Sequence, residues 1–387
     1  MESERILRPV FREFYAERDV VFEERRMRTE STPLGKFAET YEAMVWTSHP
    51  YLWPTVGWPS DIPSISKAQA DEFYALYYSP QNITLILVGD FKADDAQALA
   101  LKYFTRIPRG KADPPDVVTI EVDQLAEKRM YAEAEANPEV DISWHAVPFG
   151  HRDGYALNIL AQILSTRTGR LYKGLILGKQ VATDIQAASG PRKWAGTFDI
   201  SGDAKEGHTP EEVERAVYEE LDRLKNEDVP AHELQKVKNN FAASEYRRLT
   251  SNMSILMQLI YNDGYGDWRE INNAGPKHQA VTAADVRRVV NKYFTRENRT
   301  VAIYTRKAAK SGSETPGLPD LTGLNDEQQS AIRAMSARIK QEKDVEKLKT
   351  ALGRMQEAAG SADDKLKAFF QTQQKIVQQR IEELKQP

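Results

Sequence analysis

The pattern of apolar and polar positions occurs twice along this chain, at a separation of 216 residues. A helical pattern over 66–78 leads into an alternating strand pattern at Ile83–Val88, and the same order returns over 282–294 and 299–304. Each copy has a Ser or Thr where the helix begins, two adjacent aromatic residues where it ends, and an Asn before the strand. The match needs no gap across 24 positions. A period this long indicates duplication of a whole domain, because solenoid repeats have periods of about 20–50 residues.

A run of strand and helix patterns precedes the repeated unit in its second occurrence but not in its first. This run begins near Arg129–Ala136, so the equivalent start of the first occurrence falls about 90 residues before Met1. We therefore expect a first domain over 1–112 that lacks its front half, and a complete sister domain over 117–307. We name these regions the first copy and the second copy. The Pro-rich segment Lys111–Asp116 between them is predicted to be a linker.

Apolar periodicity predicts the other elements of both copies. In the first copy, one long helix is expected over 5–30 and a shorter one over 93–104. The apolar face of the long helix consists of Leu7, Val10, Phe11, Phe14 and Val21. The predicted strands of the second copy are 129–136, 139–147, 181–189 and 195–201. Its predicted helices are 152–165, 210–226, 230–262 and 282–294.

The pattern changes after Lys307. Residues 308–325 are rich in Ser, Gly and Pro and are predicted to form a flexible linker. Residues 326–387 form a tail rich in Lys, Glu and Gln, which predicts two solvated helices over 326–353 and 363–386. A docking tail for a partner and an appended helix pair both fit this pattern.

Composition narrows the class of protein. The 387 residues carry a formal net charge of −4, without a basic stripe, so a nucleic-acid partner is not expected. Cysteine is absent, which excludes disulfides and Cys-based metal sites. No run of 18 apolar residues and no signal-peptide pattern is visible, so we expect no membrane span.

Two carboxylates carry the best chemical signal in the sequence. At 100° per residue, Glu17 and Glu24 lie within about 20° of each other on the predicted helix, two turns apart. Val20 and Val21 flank them, so both carboxylates are expected at the edge of an apolar face, where an acid needs a metal, a base or a donor as partner. Glu24 and Arg28 also form an ordinary stabilising pair four residues apart. Spacing alone leaves both interpretations open.

The segment Glu17–Arg26 resembles the one that supplies the third zinc ligand in the insulinase/pitrilysin family of zinc metallopeptidases, which includes the mitochondrial processing peptidases. Later landmarks are similar in order and spacing, and the resemblance covers roughly 5–307. These landmarks are Pro50-Tyr51, Gly57-Trp58-Pro59-Ser60-Asp61-Ile62, Ser64-Ile65-Ser66, Tyr77-Tyr78-Ser79-Pro80-Gln81-Asn82, Val88-Gly89-Asp90 and Tyr103-Phe104. The resemblance implies that Glu24 is the metal carboxylate and that Glu17 is an acid supporting it.

Two functional features of the family are missing. The inverted H-x-x-E-H helix, which supplies two His ligands and the general base, belongs about 75 residues before Glu24 and so before Met1. None of the six histidines is four residues from another, so we expect no catalytic residue in this chain and an incomplete zinc site. Family members also hold the peptide backbone with an Arg and a Tyr seven residues apart, and Ile176 and Thr183 occupy those places. The repeat counterpart of Glu24 is Asn240.

The resemblance and the repeat together predict an α+β fold: duplicated insulinase-type domains, each an antiparallel-rich sheet covered by helices, with the first copy truncated and a helical tail. The implied function is the metal-bearing half of a Zn²⁺ metalloendopeptidase that acts on peptides or unfolded polypeptides, inactive as given. The alternative is a non-catalytic subunit for pairing and peptide binding. An insulinase-type sister subunit or a homo-oligomer is the expected partner. The resemblance implies a periplasmic or secreted protein, with a cytoplasmic one also open.

Overall fold

A computed structural model describes residues 1–307, 321, 324–360 and 364–384. The chain divides into two compact units, Met1–Lys307 and Ala308–Pro387. Most of the linker expected over 308–325 lies outside the described residues. Within the described part of the chain, no helix is both long and apolar enough to cross a bilayer.

The first copy is helical throughout its regular structure. Its helices are α1 Glu2–Leu7, α2 Phe14–Arg25, α3 Gly35–Val45, α4 Lys67–Tyr77 and α5 Ala93–Phe104. The prediction of one helix over 5–30 is wrong, because the chain leaves the helix at Arg8 (φ −135°, ψ 66°) and passes Glu13 at φ 51° before α2 begins. Pro9 explains the break, since proline disfavours helical backbone in the residue before it and has no N–H to donate. A π-helical turn over Arg26–Glu30 follows α2.

The second copy contains the sheet. Its strands and helices are β1 Lys128–Ala134, β2 Glu139–Ala146, α6 Arg152–Ser165, β3 Ala182–Pro191, β4 Gly196–Ala204, α7 Pro210–Asn226, α8 Ala231–Arg248, α9 Asn252–Tyr265, α10 Glu270–Ala280, α11 Ala283–Tyr293 and β5 Arg299–Arg306. The strand order is β1-β5-β2-β4-β3, with β1 and β5 parallel and the other neighbours antiparallel. The α+β fold class is therefore confirmed.

The main core lies between this sheet and the helices α6, α7 and α11. Trp144 and Phe198 on neighbouring strands are almost completely buried, and α6 contributes a wide apolar face. The helix predicted over 230–262 is in fact two, because the chain turns at Leu249–Ser251 and the Ser251 side chain caps α9. Neither α3 nor α10 was predicted.

The repeated unit has the same local structure in both copies up to the strand. Ser66 with Gln69 and Thr282 with Asp285 form capping boxes at the starts of α4 and α11. In the turn after each helix, Asn82 Nδ2 donates to the Tyr77 carbonyl at 2.9 Å, and Asn298 Nδ2 donates to that of Tyr293 at 2.8 Å.

The copies diverge immediately after this turn. In the second copy, β5 lies between β1 and β2 in the sheet. In the first copy, Ile83–Val88 forms no strand, so the strand predicted there is wrong. A strand requires neighbours for its N–H and C=O groups. The described part of the first copy contains no counterparts of β1 and β2.

The described part of the C-terminal unit contains three helices, which share a small core of their own. Its helices are α12 Asp326–Gln341, α13 Val345–Gly360 and α14 Asp364–Glu383. The predicted count of two helices is wrong, because the chain turns at 342–344 and Asp344 Oδ1 accepts from the backbone N–H groups of Glu346 (3.0 Å) and Lys347 (3.3 Å), which starts α13. Buried residues join the helices into two clusters, Leu324/Ile332/Ile376 and Leu348/Val377/Ile381.

Candidate functional site

Glu17 and Glu24 both lie on α2, but in more open surroundings than the sequence suggested. The Glu24 side chain is 38% exposed, and its carboxylate pairs with Arg28 at 2.9 Å. Glu17 is exposed. Val20 and Val21 are 60% and 40% exposed, so the apolar face at whose edge both carboxylates were expected is itself open to solvent. In this chain the face of α2 that carries the two acids is uncovered.

A neighbouring face of α2 fixes the helix in place. Arg25 is buried and donates through both terminal nitrogens to Glu39 on α3, at 2.5 and 2.7 Å, and to the Gly57 carbonyl at 2.8 Å. The hydrogen bond to Glu39 is the main reason that the pKa of Arg25 is raised. About two turns earlier on α2, Arg18 donates to the Pro63 carbonyl at 2.7 Å. These two arginines hold α2 against the 57–63 segment, which leaves Glu17 and Glu24 turned outward.

The residues present do not make a zinc site by themselves. Catalytic zinc takes three protein ligands and an open position. No group of three or more His, Cys, Asp or Glu side chains within the described ranges is arranged to hold a metal ion. Glu24 therefore has no companion metal ligands among the residues that the structure describes.

The two positions where family members have the peptide-binding Arg and Tyr are occupied here by Ile176 and Thr183. Ile176 is half-buried and packs against the core of the second copy, while Thr183 is exposed on β3. Ile176 has no polar group, and Thr183 has one hydroxyl on a side chain much shorter than that of Arg or Tyr. Asn240 is exposed on α8.

Two consecutive side-chain hydrogen bonds connect the first copy to the sheet of the second copy. The Tyr41 hydroxyl on α3 lies 2.9 Å from Ser143 Oγ, which in turn donates to Asp199 Oδ1 at 2.6 Å. Asp141, two residues before Ser143 on β2, is half-buried. Burial, with the negative charges of Glu139 and Asp199, raises the pKa of Asp141 to about 7.

A cavity of about 430 Å³ opens in the second copy between α6, β3, α8, α9 and α10. Its polar lining includes Asn158, Glu245, Glu270 and His278. No pattern in the sequence predicts this cavity, since these residues lie on three different helices and come from positions up to 120 apart.

The chain is similar to known peptidases. Residues 64–241 match the family model of the peptidase M16 inactive domain. The zinc protease PqqE of Helicobacter pylori is 25% identical over 292 residues, which make up 73% of this chain and 64% of that protein. The chain thus spans less than two thirds of the length of this curated relative.

Solved structures share the fold. A protease from Helicobacter pylori superposes with a TM-score of 0.73 at 23% identity, over 78% of this chain and 75% of that one. The first half of the periplasmic protease PqqL from Escherichia coli superposes with a TM-score of 0.66 at 16% identity, over 79% of this chain and 69% of that one. With the family-model match, these likenesses confirm the resemblance seen in the sequence: the chain is similar to members of the insulinase/pitrilysin (M16) family of zinc metallopeptidases.

Proposed function

We propose that this chain is the metal-bearing half of an insulinase-family zinc metalloendopeptidase that acts on peptides or unfolded polypeptides. In this proposal Glu24 is one zinc ligand and Glu17 supports it. Two histidines and the general base come from an H-x-x-E-H helix outside the described residues. The chain by itself is then inactive.

The observation that carries the proposal is that the repeated segment forms a paired strand in the second copy and no strand in the first. In the second copy β5 is buried between β1 and β2, and α6, which follows β2, packs against α8. By the repeat, α8 is the counterpart of α2, because Asn240 corresponds to Glu24. Two strands and a helix added beside Ile83–Val88 in the same arrangement would place that helix against α2, next to Glu24. This is where the remaining zinc ligands are needed.

The exposed side chains of the first copy support the same addition. Ile83, Leu85 and Leu87 alternate along the unpaired segment and are 36%, 47% and 51% exposed. Apolar side chains that alternate on an unpaired extended segment are typical of a strand whose partner strands are supplied by another part of the protein or by another chain.

The second candidate is a non-catalytic subunit for pairing and peptide binding. The absence of a metal-ligand set from the described residues favours it. In both cases we propose an insulinase-type sister subunit or a second copy as partner, which supplies the Arg and Tyr that Ile176 and Thr183 replace. A periplasmic or secreted location is supported by the PqqL relative, which is a periplasmic protein.

Zinc uptake by a reconstituted protein tests the proposal. The chain is mixed with a separately expressed insulinase-type half that carries two strands and an H-x-x-E-H helix, and bound zinc and cleavage of a fluorogenic peptide are measured. We expect both to require the mixture and to be lost in Glu24→Gln, because removal of one of three ligands abolishes useful zinc affinity. Glu23→Gln is the matched control, since Glu23 is exposed and pairs with Arg26. Zinc uptake that survives Glu24→Gln, or a mixture that takes up no zinc, contradicts the proposal.

A further inference from the structure

The cavity of the second copy contains a histidine whose hydrogen bonding is incomplete. His278 on α10 is 5% exposed, and its Nδ1 makes no well-aligned hydrogen bond among the described residues, although the Glu245 carboxylate and the Ala274 backbone lie near the ring. Its ring stacks on Phe241 at 4.6 Å, and its Nε2 lies 3.3 Å from Asn158 Nδ2. These contacts fix the ring, so its Nδ1 edge has one orientation. A buried polar atom left in this state is rare in proteins and requires an explanation.

The group facing that edge is the carboxylate of Glu245. Its Oε1 lies 3.3 Å from His278 Nδ1, and its side chain is 31% exposed. No other ion pair or hydrogen bond to this carboxylate occurs in the described part of the chain. Arg248, one turn later on α8, lines the cavity but is exposed and does not pair with Glu245. Glu245 therefore presents acceptor capacity to the cavity.

The structure also keeps space open for this carboxylate. A Cβ atom on Gly275 would lie 2.7 Å from Glu245 Oε2, closer than van der Waals contact allows. The second carboxylate of the cavity differs, because Glu270 accepts from the Tyr155 hydroxyl at 2.7 Å and pairs with Lys277. Glu270 thus has two partners within the protein, whereas Glu245 has His278 alone among the described residues.

We propose that this cavity binds a cationic nitrogen of a peptide, which donates to Glu245 beside His278. A charge-assisted hydrogen bond of this kind is about twice as strong as a neutral one. The nitrogen can come from a Lys side chain or from a free N-terminus, which share this chemistry. The inference rests on the proposed function in one respect, which is that the ligand is a peptide.

Surfaces on two sides of the cavity suit the rest of such a peptide. The edge strand β3 borders it with the small residues Ala188 and Ser189, and β3 pairs with β4 alone. On α9, whose Gln258 lines the cavity, Met253 and Met257 are 64% and 38% exposed. Methionine side chains adapt to apolar partners of different shape.

Binding of four peptides to the full chain tests the site. One eight-residue sequence with a fluorophore at its C-terminus is made with a free or acetylated N-terminus and with Lys or norleucine at its centre. Fluorescence anisotropy gives each Kd. We expect at least one cationic form to bind about tenfold or more tightly than the acetylated norleucine peptide, as a hydrogen bond to a charged group predicts. If the free N-terminus alone gives the tighter binding, the nitrogen is the N-terminal amine. If the central Lys alone gives it, the nitrogen is that of the side chain.

Variants of the chain connect that advantage to the cavity. Glu245→Gln is expected to remove the tighter binding of the cationic peptides. Gly275→Ala is expected to reduce it, because the added Cβ displaces the Glu245 carboxylate. Glu219→Gln is the control, since Glu219 is exposed and pairs with Lys179. Unchanged thermal unfolding of Glu245→Gln separates lost binding from lost folding.

The outcomes separate this inference from the proposed function. If all four peptides bind equally well to the wild type and to Glu245→Gln, the cation site is wrong while peptide binding by the chain stands. If the cationic advantage persists in Glu245→Gln, the site lies elsewhere and the inference is also wrong. If no peptide binds, the inference fails together with the peptide-binding role of this chain.

Discussion

The two copies of the repeated unit have the same helix and turn, yet only the second copy has a strand. The capping boxes at Ser66 and Thr282 and the bonds from Asn82 and Asn298 are the same in kind. These contacts span at most five residues, so each copy forms them alone. Pairing of β5 depends on β1, about 170 residues earlier in the chain. The comparison teaches that local signals are independent of the rest of the domain, whereas a strand depends on its neighbours.

The largest effect is expected from equivalent apolar residues in the two copies. Ile303 on β5 is completely buried, and its repeat counterpart Leu87 is 51% exposed. Ile303→Ala should lower the free energy of unfolding by about 2–5 kcal/mol. Leu87→Ala should change it by about 0.5 kcal/mol or less. Urea titrations measure both, and a cost for Leu87→Ala similar to that for Ile303→Ala would show that Leu87 is packed in the chain alone.

The sheet of the second copy should also carry a pH dependence. The pKa of Asp141 is raised by burial to about 7 from an ordinary value of 3.8. As pH rises from about 4 to 7, the unfolded chain releases this proton and the folded chain retains it, so the contribution of Asp141 to stability falls across this window. The stability gained by Asp141→Asn should therefore grow from pH 4 to pH 7 and stay level above. Urea titrations at each pH, with the exposed Asp116→Asn as control, check the sign. A gain that is largest at pH 4 would contradict the assignment.

A smaller difference is expected between the two turn asparagines. Asn298 is half-buried and donates to the His145 carbonyl at 2.9 Å as well as to Tyr293, whereas Asn82 is exposed and has only its local bond. Asn298→Ala should cost about 1–3 kcal/mol, because it leaves buried acceptors unpaired. Asn82→Ala should cost about 1 kcal/mol or less. Thermal unfolding of both variants measures the gap, and equal costs would mean that the turns are equally buried.

The smallest difference is expected at the helix starts. Ser66→Ala and Thr282→Ala each remove a cap, and each should cost about 1 kcal/mol in the helix that it begins. Because a cap is local, the two costs should agree although one copy lacks a sheet. Hydrogen exchange in the first turns of α4 and α11 reports each loss. A cost confined to Thr282 would mean that caps, too, depend on the sheet.

The same distinction explains what the sequence could and could not predict. The helices over 152–165 and 210–226 were predicted with their observed bounds, because each has a wide apolar stripe and a clear start signal. The break at Leu249–Ser251 was missed, since the apolar period continues across it. Arg25, which fixes the helix that carries Glu24, was missed because its partner Glu39 is 14 residues away.

The cavity follows the same rule. Glu245 and His278 come together only through the packing of α8 against α10, and no pattern along the chain connects them. The metal role of Glu24 came from a resemblance and stays a prediction.

Hydrogen exchange at Ile83–Val88 tests the central claim most directly. In the chain alone, the amides of this segment should exchange quickly, while those of their repeat counterparts on β5 are protected by ladder bonds to β1 and β2. Addition of an insulinase-type half that carries two strands and an H-x-x-E-H helix should protect Ile83–Val88 and leave β5 unchanged. Strong protection of Ile83–Val88 in the chain alone, or none after a complex has formed, would contradict the account.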